Sequence, residues 1–234
     1  RRARRGGRRG RRPRGRAVIG IWNYFRGDQS EILRWTWTTI WLAGLALAIG
    51  LVISLPIGYL AYRYKFSYPP LVGLASLIYT IPSFVVFVTL PGLLHTNLID
   101  PENVLVALSL YTVALLVRVV ADGLASVSSA TLDAASAMGL TNLQRLFRVQ
   151  LPMAVPVIGA GLRVAAVSNV SLVSVASLIG VEQLGQLFTI FSEGNAGSDP
   201  VFVGLILIVG VALIFDAVIL VGIRLATPWQ RAAR

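Results

Sequence analysis

Five residues with charged or amide side chains stand inside long apolar runs and define the chemistry within reach: Arg118, Asp122, Arg163, Asn169 and Asp216. Such groups are costly inside a bilayer, so they read either as residues of a transport pathway or as partners that neutralise one another. Two arginines against two aspartates favour a neutral structural network, and the four-residue spacing of Arg118 and Asp122 is that of a pair on one helix face. No catalytic constellation joins them. There is no cysteine and one histidine, His95, which excludes disulfides and thiolate metal sites and leaves too few donors for a metal cluster. The serines have no second His or Cys to build a nucleophilic site around. The one lysine, Lys65 in YRYKFS, is not part of a G-x-x-x-x-G-K-[ST] loop, so the chain cannot cradle nucleotide phosphates in that way. The expectation is a chain with no catalytic residue, no metal and no cofactor of its own, leaving nucleotide chemistry to a partner.

The elements that would position these residues are membrane helices. Of 234 residues 56% are hydrophobic and 13% charged, against about 25% charged in soluble domains. The net charge of +11 suggests nucleic acid at first, but ten of the 21 basic residues are arginines within residues 1–16, and setting them aside leaves +1. That Arg- and Gly-rich segment is predicted to be disordered, either an anionic-lipid contact or an atypical extension, and nucleic acid is not expected as a partner. Residues 17–34 read as a pre-membrane segment, 35–226 as the membrane domain and 227–234 as a basic tail.

The fold class is all-α and polytopic, with about five spans. Residues 35–62 carry no charge in 28 positions, more than the roughly 20 a bilayer core requires. Trp35, Trp37 and Trp41 mark one end and Tyr59, Tyr62 and Tyr64 the other, as interfacial belts would; Gly44 and Ala48, like Ala46 and Gly50, have the spacing that lets a second helix approach closely. The second span, about 69–94, contains Pro82 and Pro91 and should be kinked or broken. A break in lipid must face protein or a water-filled cavity, which makes Thr80-Ile81-Pro82-Ser83 a candidate pathway wall as well as a simple distortion. Spans three to five cover about 103–122, 151–179 and 201–225, with a surface or re-entrant loop over 181–200. Arg63, Lys65, Arg145, Arg148, Arg224, Arg231 and Arg234 fall on one side, whereas the other has Arg26 and Arg34 among seven acidic residues. The positive-inside rule then puts the C-terminus in the cytoplasm and the N-terminus outside, with the arginine tail dissenting.

Between spans three and four, Ser128 to Pro152 is amphipathic rather than uniformly apolar. Ser128 suits the start of one helix and Gly139 its end. Thr141-x-x-Gln144 is a capping box for a second, with Leu143, Leu146 and Phe147 as an apolar stripe opposite Arg145 and Arg148, and Pro152 restarts the chain into the membrane. Asp133-Ala134-Ala135, three residues, Gly139, nine residues, then Val149-x-Leu151-Pro152 resembles the E-A-A-x3-G-x9-I-x-L-P signature of permease subunits in binding-protein-dependent ABC importers. Every spacing matches, with Asp for Glu and Val for Ile, and the likeness covers roughly residues 30–226. It implies a coupling helix seated in a cleft of a separate ATPase, with Asp133, Ala134, Ala135, Gly139, Leu151 and Pro152 as coupling residues and Asp133 either engaging the groove or capping its helix. It further implies ATP and Mg on that ATPase, a second permease subunit, an extracytoplasmic substrate-binding protein and a bacterial inner membrane. TIPSFVVFVTLPGLL and LYTVALLVRVVADGL look like the permeases for glycine betaine, choline and carnitine. A permease for amino acids or another small polar solute, and an ion-coupled secondary transporter, are the alternatives.

Overall fold

The computed structural model describes residues 24–192 and 198–229, all helix and connecting turns among those residues. The arginine tail, most of the pre-membrane segment, and residues 193–197 and 230–234 lie outside the described residues. A helical turn at 24–27 leads into α1 (Gln29–Arg63), which is followed by α2 (Tyr68–Thr80), α3 (Ser83–Leu94), α4 (Pro101–Ala125), α5 (Ser129–Ala137) and α6 (Asn142–Arg145). A π-helical turn (Leu146–Gln150) joins α6 to α7 (Leu151–Val175); a 3₁₀ turn (Ala176–Ile179), α8 (Gln186–Ser192) and α9 (Asp199–Ala226) complete the chain.

Four stretches are each long and apolar enough to cross a membrane: α1, α4, the continuous run Asn142–Ile179, and α9. Helices α2 and α3 form a fifth span bent by 100° at its break. Contacts at both ends establish that this broken pair runs the length of the bundle. The Tyr68 hydroxyl, at its start, donates to Asp122 near the end of α4. Past its far end, Ile99 packs beside Gly180, at the opposite end of α7. Ala226, closing α9, lines a cavity with Leu151, so α9 ends where α7 begins.

Helices α1 and α4 pack most extensively, because glycines remove the side chains that would hold them apart. A Cβ on Gly50 would lie 2.3 Å from Thr112 Cγ2, and one on Gly58 would lie 2.6 Å from Val120 Cβ and 2.9 Å from the Val117 carbonyl oxygen. Of the two small-residue pairs, Ala46 and Gly50 are buried and Gly50 abuts α4, whereas a Cβ on Gly44 would meet Phe215 of α9 at 3.2 Å and Ala48 is exposed. The main core joins Leu42, Ala46, Phe87, Leu108, Val170 and Leu184, drawn from α1, α3, α4, α7 and the turn before α8. Helix α9 buries only 6% of its most apolar window, so most of its surface is left for lipid or another chain.

Several expectations are corrected. Of the tryptophans at that end of the first span, Trp35 turns into the core, with its Nε1 lacking a protein partner among the described residues, whereas Trp37 is exposed. The second span breaks at Pro82 alone, since Pro91 sits inside α3. Pro152 does not restart the chain. The π turn, in which the Leu151 amide bonds back to the Leu146 carbonyl, carries one helical run through it, as such turns do when the ordinary ladder is interrupted. The 181–200 loop also holds helix α8, and it is plugged into the core: Gln183, Leu184 and Leu187 are fully buried, and the Leu184 amide donates to Thr39 Oγ1 at 3.1 Å.

Candidate functional site

The Ser128–Pro152 segment is built by local chemistry. Ser128 Oγ accepts from the Thr131 amide at 3.3 Å and starts α5. The helix stops at Gly139, whose φ of +79° is left-handed. Its amide reaches the Ser136 carbonyl at 3.0 Å, and the Leu140 amide reaches Ala135 at 3.3 Å. This is the paired closure of a Schellman motif, which glycine adopts without strain. Thr141 and Gln144 form the expected reciprocal capping box. Two links absent from the sequence reading hold this hairpin together and to the bundle. Arg145 donates to Ser136 Oγ at 2.9 Å, tying α6 to α5. Gln150, 4% exposed, donates from Nε2 to the Leu124 carbonyl at 3.3 Å, satisfying a terminal acceptor of α4.

The apolar stripe divides in two. Leu146 turns inward onto Val120, Leu124, Ala154 and Ile158, while Leu143 and Phe147 are 66% and 65% exposed, as is Met138 at 73% in the turn after α5. Of the signature residues, Ala135 is buried and Ala134 exposed, Leu151 and Pro152 are half-buried, and Asp133 is exposed with no hydrogen bond among the described residues. Ser128, not Asp133, caps α5.

The intramembrane charges form two separate pairs among the described residues rather than one network. Arg118 Nε lies 3.4 Å from Asp122 Oδ2 within α4, and Tyr68 holds the other carboxylate oxygen at 2.7 Å. Arg163 grips Asp216 through two parallel bonds, Nε to Oδ1 at 2.6 Å and an Nη2 to Oδ2 at 2.8 Å, which joins α7 to α9. This fork geometry is the strong form of the interaction. Asn169 belongs to neither pair. It is 2% exposed, and its Nδ2 donates to Thr112 Oγ1 at 2.9 Å and the Ala43 carbonyl at 3.5 Å, a buried polar junction of α1, α4 and α7.

At the break between α2 and α3 lies a cavity of about 490 Å³, lined by Tyr79 to Ser83, Tyr111, Val167, Ser168, Ser171 and Leu172. The carbonyl freed at Ile81 accepts from the Tyr111 hydroxyl, so the break is satisfied by protein, as a membrane interior demands. A second cavity of about 340 Å³ shares Val167 and Ser168 with it and reaches Arg163 and Asp216. One face of α7 therefore lines both.

Five crossings, a helical hairpin at one end and a lined break in the second span define a multi-pass membrane permease. The model of the family described as "binding-protein-dependent transport system inner membrane component" matches residues 50–221, and the chain belongs to that family. It is a permease subunit of an ABC importer, a transport component of the inner membrane. The osmoprotectant import permease protein OsmW of Salmonella typhimurium is 32% identical over 198 residues, covering 83% of this chain and 91% of that protein. The choline transport system permease protein OpuBB of Bacillus subtilis is 27% identical over 210 residues, covering 89% of this chain and 94% of that protein. The fold matches a chain of the inward-facing MetNI methionine ABC transporter with a TM-score of 0.75 at 20% identity, over 86% of this chain and 98% of that one.

Proposed function

We propose that this permease carries osmoprotectants of the glycine betaine, choline and carnitine type, and that its Ser128–Pro152 hairpin docks into a cleft of a separate ATPase. The observation that carries the substrate reading is the likeness to OsmW and OpuBB, named for osmoprotectant and choline transport, over most of both chains. The coupling reading is supported by the hairpin's surface, where Met138, Leu143 and Phe147 stand exposed on the same hairpin as an exposed Asp133 that no described residue engages. Exposed apolar side chains grouped on one feature mark a contact surface.

ATP and Mg reside on the partner in this mechanism, and the chain supplies transmission. Helix α6 and α7 form one run of 38 residues, Asn142–Ile179, so force on the hairpin travels along a rigid rod to Arg163, Ser168 and Ser171. Gln150 links the same rod to the end of α4. With a second permease subunit opposite and a binding protein delivering solute, ATP-driven approach of two ATPases rocks the rods and alternates access. The hairpin lies on the cytoplasmic side and the N-terminus outside, in keeping with the basic residues at the hairpin end.

The test is ATP-dependent uptake of labelled glycine betaine, choline and carnitine into vesicles holding the permease, its ATPase and its binding protein. Saturable uptake that requires ATP is expected. Transport of a different solute alone overturns the substrate reading, and uptake without ATP overturns the coupling reading.

A further inference from the structure

The cavity at the Ile81-Pro82 break carries features that helix distortion alone does not produce. In this chain the hydroxyls of Ser76, Thr80, Thr89 and Ser109 bond back to the carbonyl four residues earlier, which is how a membrane helix silences a polar side chain. Ser83, Ser168 and Ser171, all lining the cavity, have no hydrogen-bond partner among the described residues. Three hydroxyls from two different spans are thus left to bond something inside the cavity.

Two tyrosines also line the cavity. Tyr79 and Tyr111 meet edge to face, with ring centroids 6.0 Å apart and planes at 77°. Tyr111 is fixed by its bond to the Ile81 carbonyl, while Tyr79 is 46% exposed. Ring faces attract a diffuse cation whose hydration is weak, as a methylated ammonium is. No residue lining this cavity is charged, so a compact cation with a tight hydration shell finds no counter-ion there. The charges lining the adjoining cavity, Arg163 and Asp216, are already committed to each other through both carboxylate oxygens. At about 490 Å³ the space suits a small solute, lying within the roughly 300–1,000 Å³ of ligand pockets.

We propose that this cavity is a binding station on the translocation path for a small methylated-ammonium zwitterion. The Tyr79 and Tyr111 rings face its cationic end, and the hydroxyls of Ser83, Ser168 and Ser171 take its carboxylate. The inference rests on the osmoprotectant reading and deepens it by assigning the solute a place in this chain.

The experiment uses the complete transporter with its ATPase and binding protein in vesicles, comparing glycine betaine, which has a carboxylate, with choline, which has none. Replacing both serines in the S168A/S171A variant breaks no hydrogen bond to a described residue, so membrane levels stay normal, and the ratio of glycine betaine to choline uptake falls by about tenfold, the scale of a lost hydrogen bond to a charged group. Tyr79→Leu slows both solutes while binding-protein-stimulated ATPase persists, and Tyr79→Phe, which keeps the ring face, recovers the rate lost in Tyr79→Leu. Wild-type rates and ratio in S168A/S171A and Tyr79→Leu overturn the station. If the wild-type transporter moves neither solute, the osmoprotectant reading itself has failed, a distinct outcome.

Discussion

Gly139 has a backbone φ of +79°, yet a Cβ there would meet nothing within 4 Å. The demand is therefore conformational rather than steric, and a small residue should be nearly as harmful as a bulky one. Any ordinary L-residue in the left-handed region costs roughly 1–2 kcal/mol, which falls on the hinge between α5 and α6. Gly139→Ala is expected to lower binding-protein-stimulated ATPase and uptake in vesicles several-fold, with Gly139→Asn milder because asparagine tolerates that region. Equal activity of the Ala variant and wild type would show that the hinge has other support. The pair Arg163 and Asp216 gives a second prediction at this scale: Arg163→Asp and Asp216→Arg each lose uptake, and the double swap, which rebuilds the pair between α7 and α9, regains it. The caps around Gly139 were legible in the sequence because each bond spans only a few residues. Asn169 was not. Its partners lie 57 and 126 positions away, and an amide in an apolar run looks the same whether it faces a pathway or a buried hydroxyl.

At the scale of elements, the small residues of α1 announced a close neighbour without saying which helix it would be. The structure sets Gly50 and Gly58 against α4 and Gly44 against Phe215 of α9, and ranks the glycines. Gly58 abuts a β-branched side chain and a backbone carbonyl, neither of which can swing aside, so Gly58→Ala forces the helices apart at about 1–3 kcal/mol. Gly210 on α9 has open space, and Gly210→Ala should leave stability unchanged. Thermal unfolding midpoints in detergent, compared between the two variants, test this. The same measurement applies to Gln150→Leu, which strands the Leu124 carbonyl in a buried setting and should cost about 1–3 kcal/mol. Proline position foretold the break at Pro82 but not the passage through Pro152. The difference lies in the π turn before Pro152, a backbone adjustment that no side-chain pattern encodes. The hairpin stripe was legible only as a stripe for a related reason: periodicity identifies an apolar face, but only the bundle beside it decides that Leu146 is covered while Leu143 and Phe147 stay bare.

For the whole molecule, five crossings were legible from apolar run lengths, and contacts at both ends of the bundle agree with them. Which end faces the cytoplasm rests on charge distribution, and the body and the arginine tail disagree. Seven basic residues in three separate segments favour one orientation, against ten arginines in one segment ahead of the first span. Topology is set chiefly by charges close to span ends, so the body should win, and deleting residues 1–16 should leave both orientation and uptake unaltered. The absence of cysteine from the chain makes the decisive test direct, since a single introduced thiol is the only one present. Two exposed sites at opposite ends serve: Gln144 on the hairpin, and Leu98 in the connection between α3 and α4. In intact cells a membrane-impermeant maleimide is expected to label Leu98→Cys and spare Gln144→Cys, and opening the cells should expose the second. The reverse pattern would place the hairpin outside, where no ATP-hydrolysing partner could reach it, and the coupling mechanism would fall with the orientation.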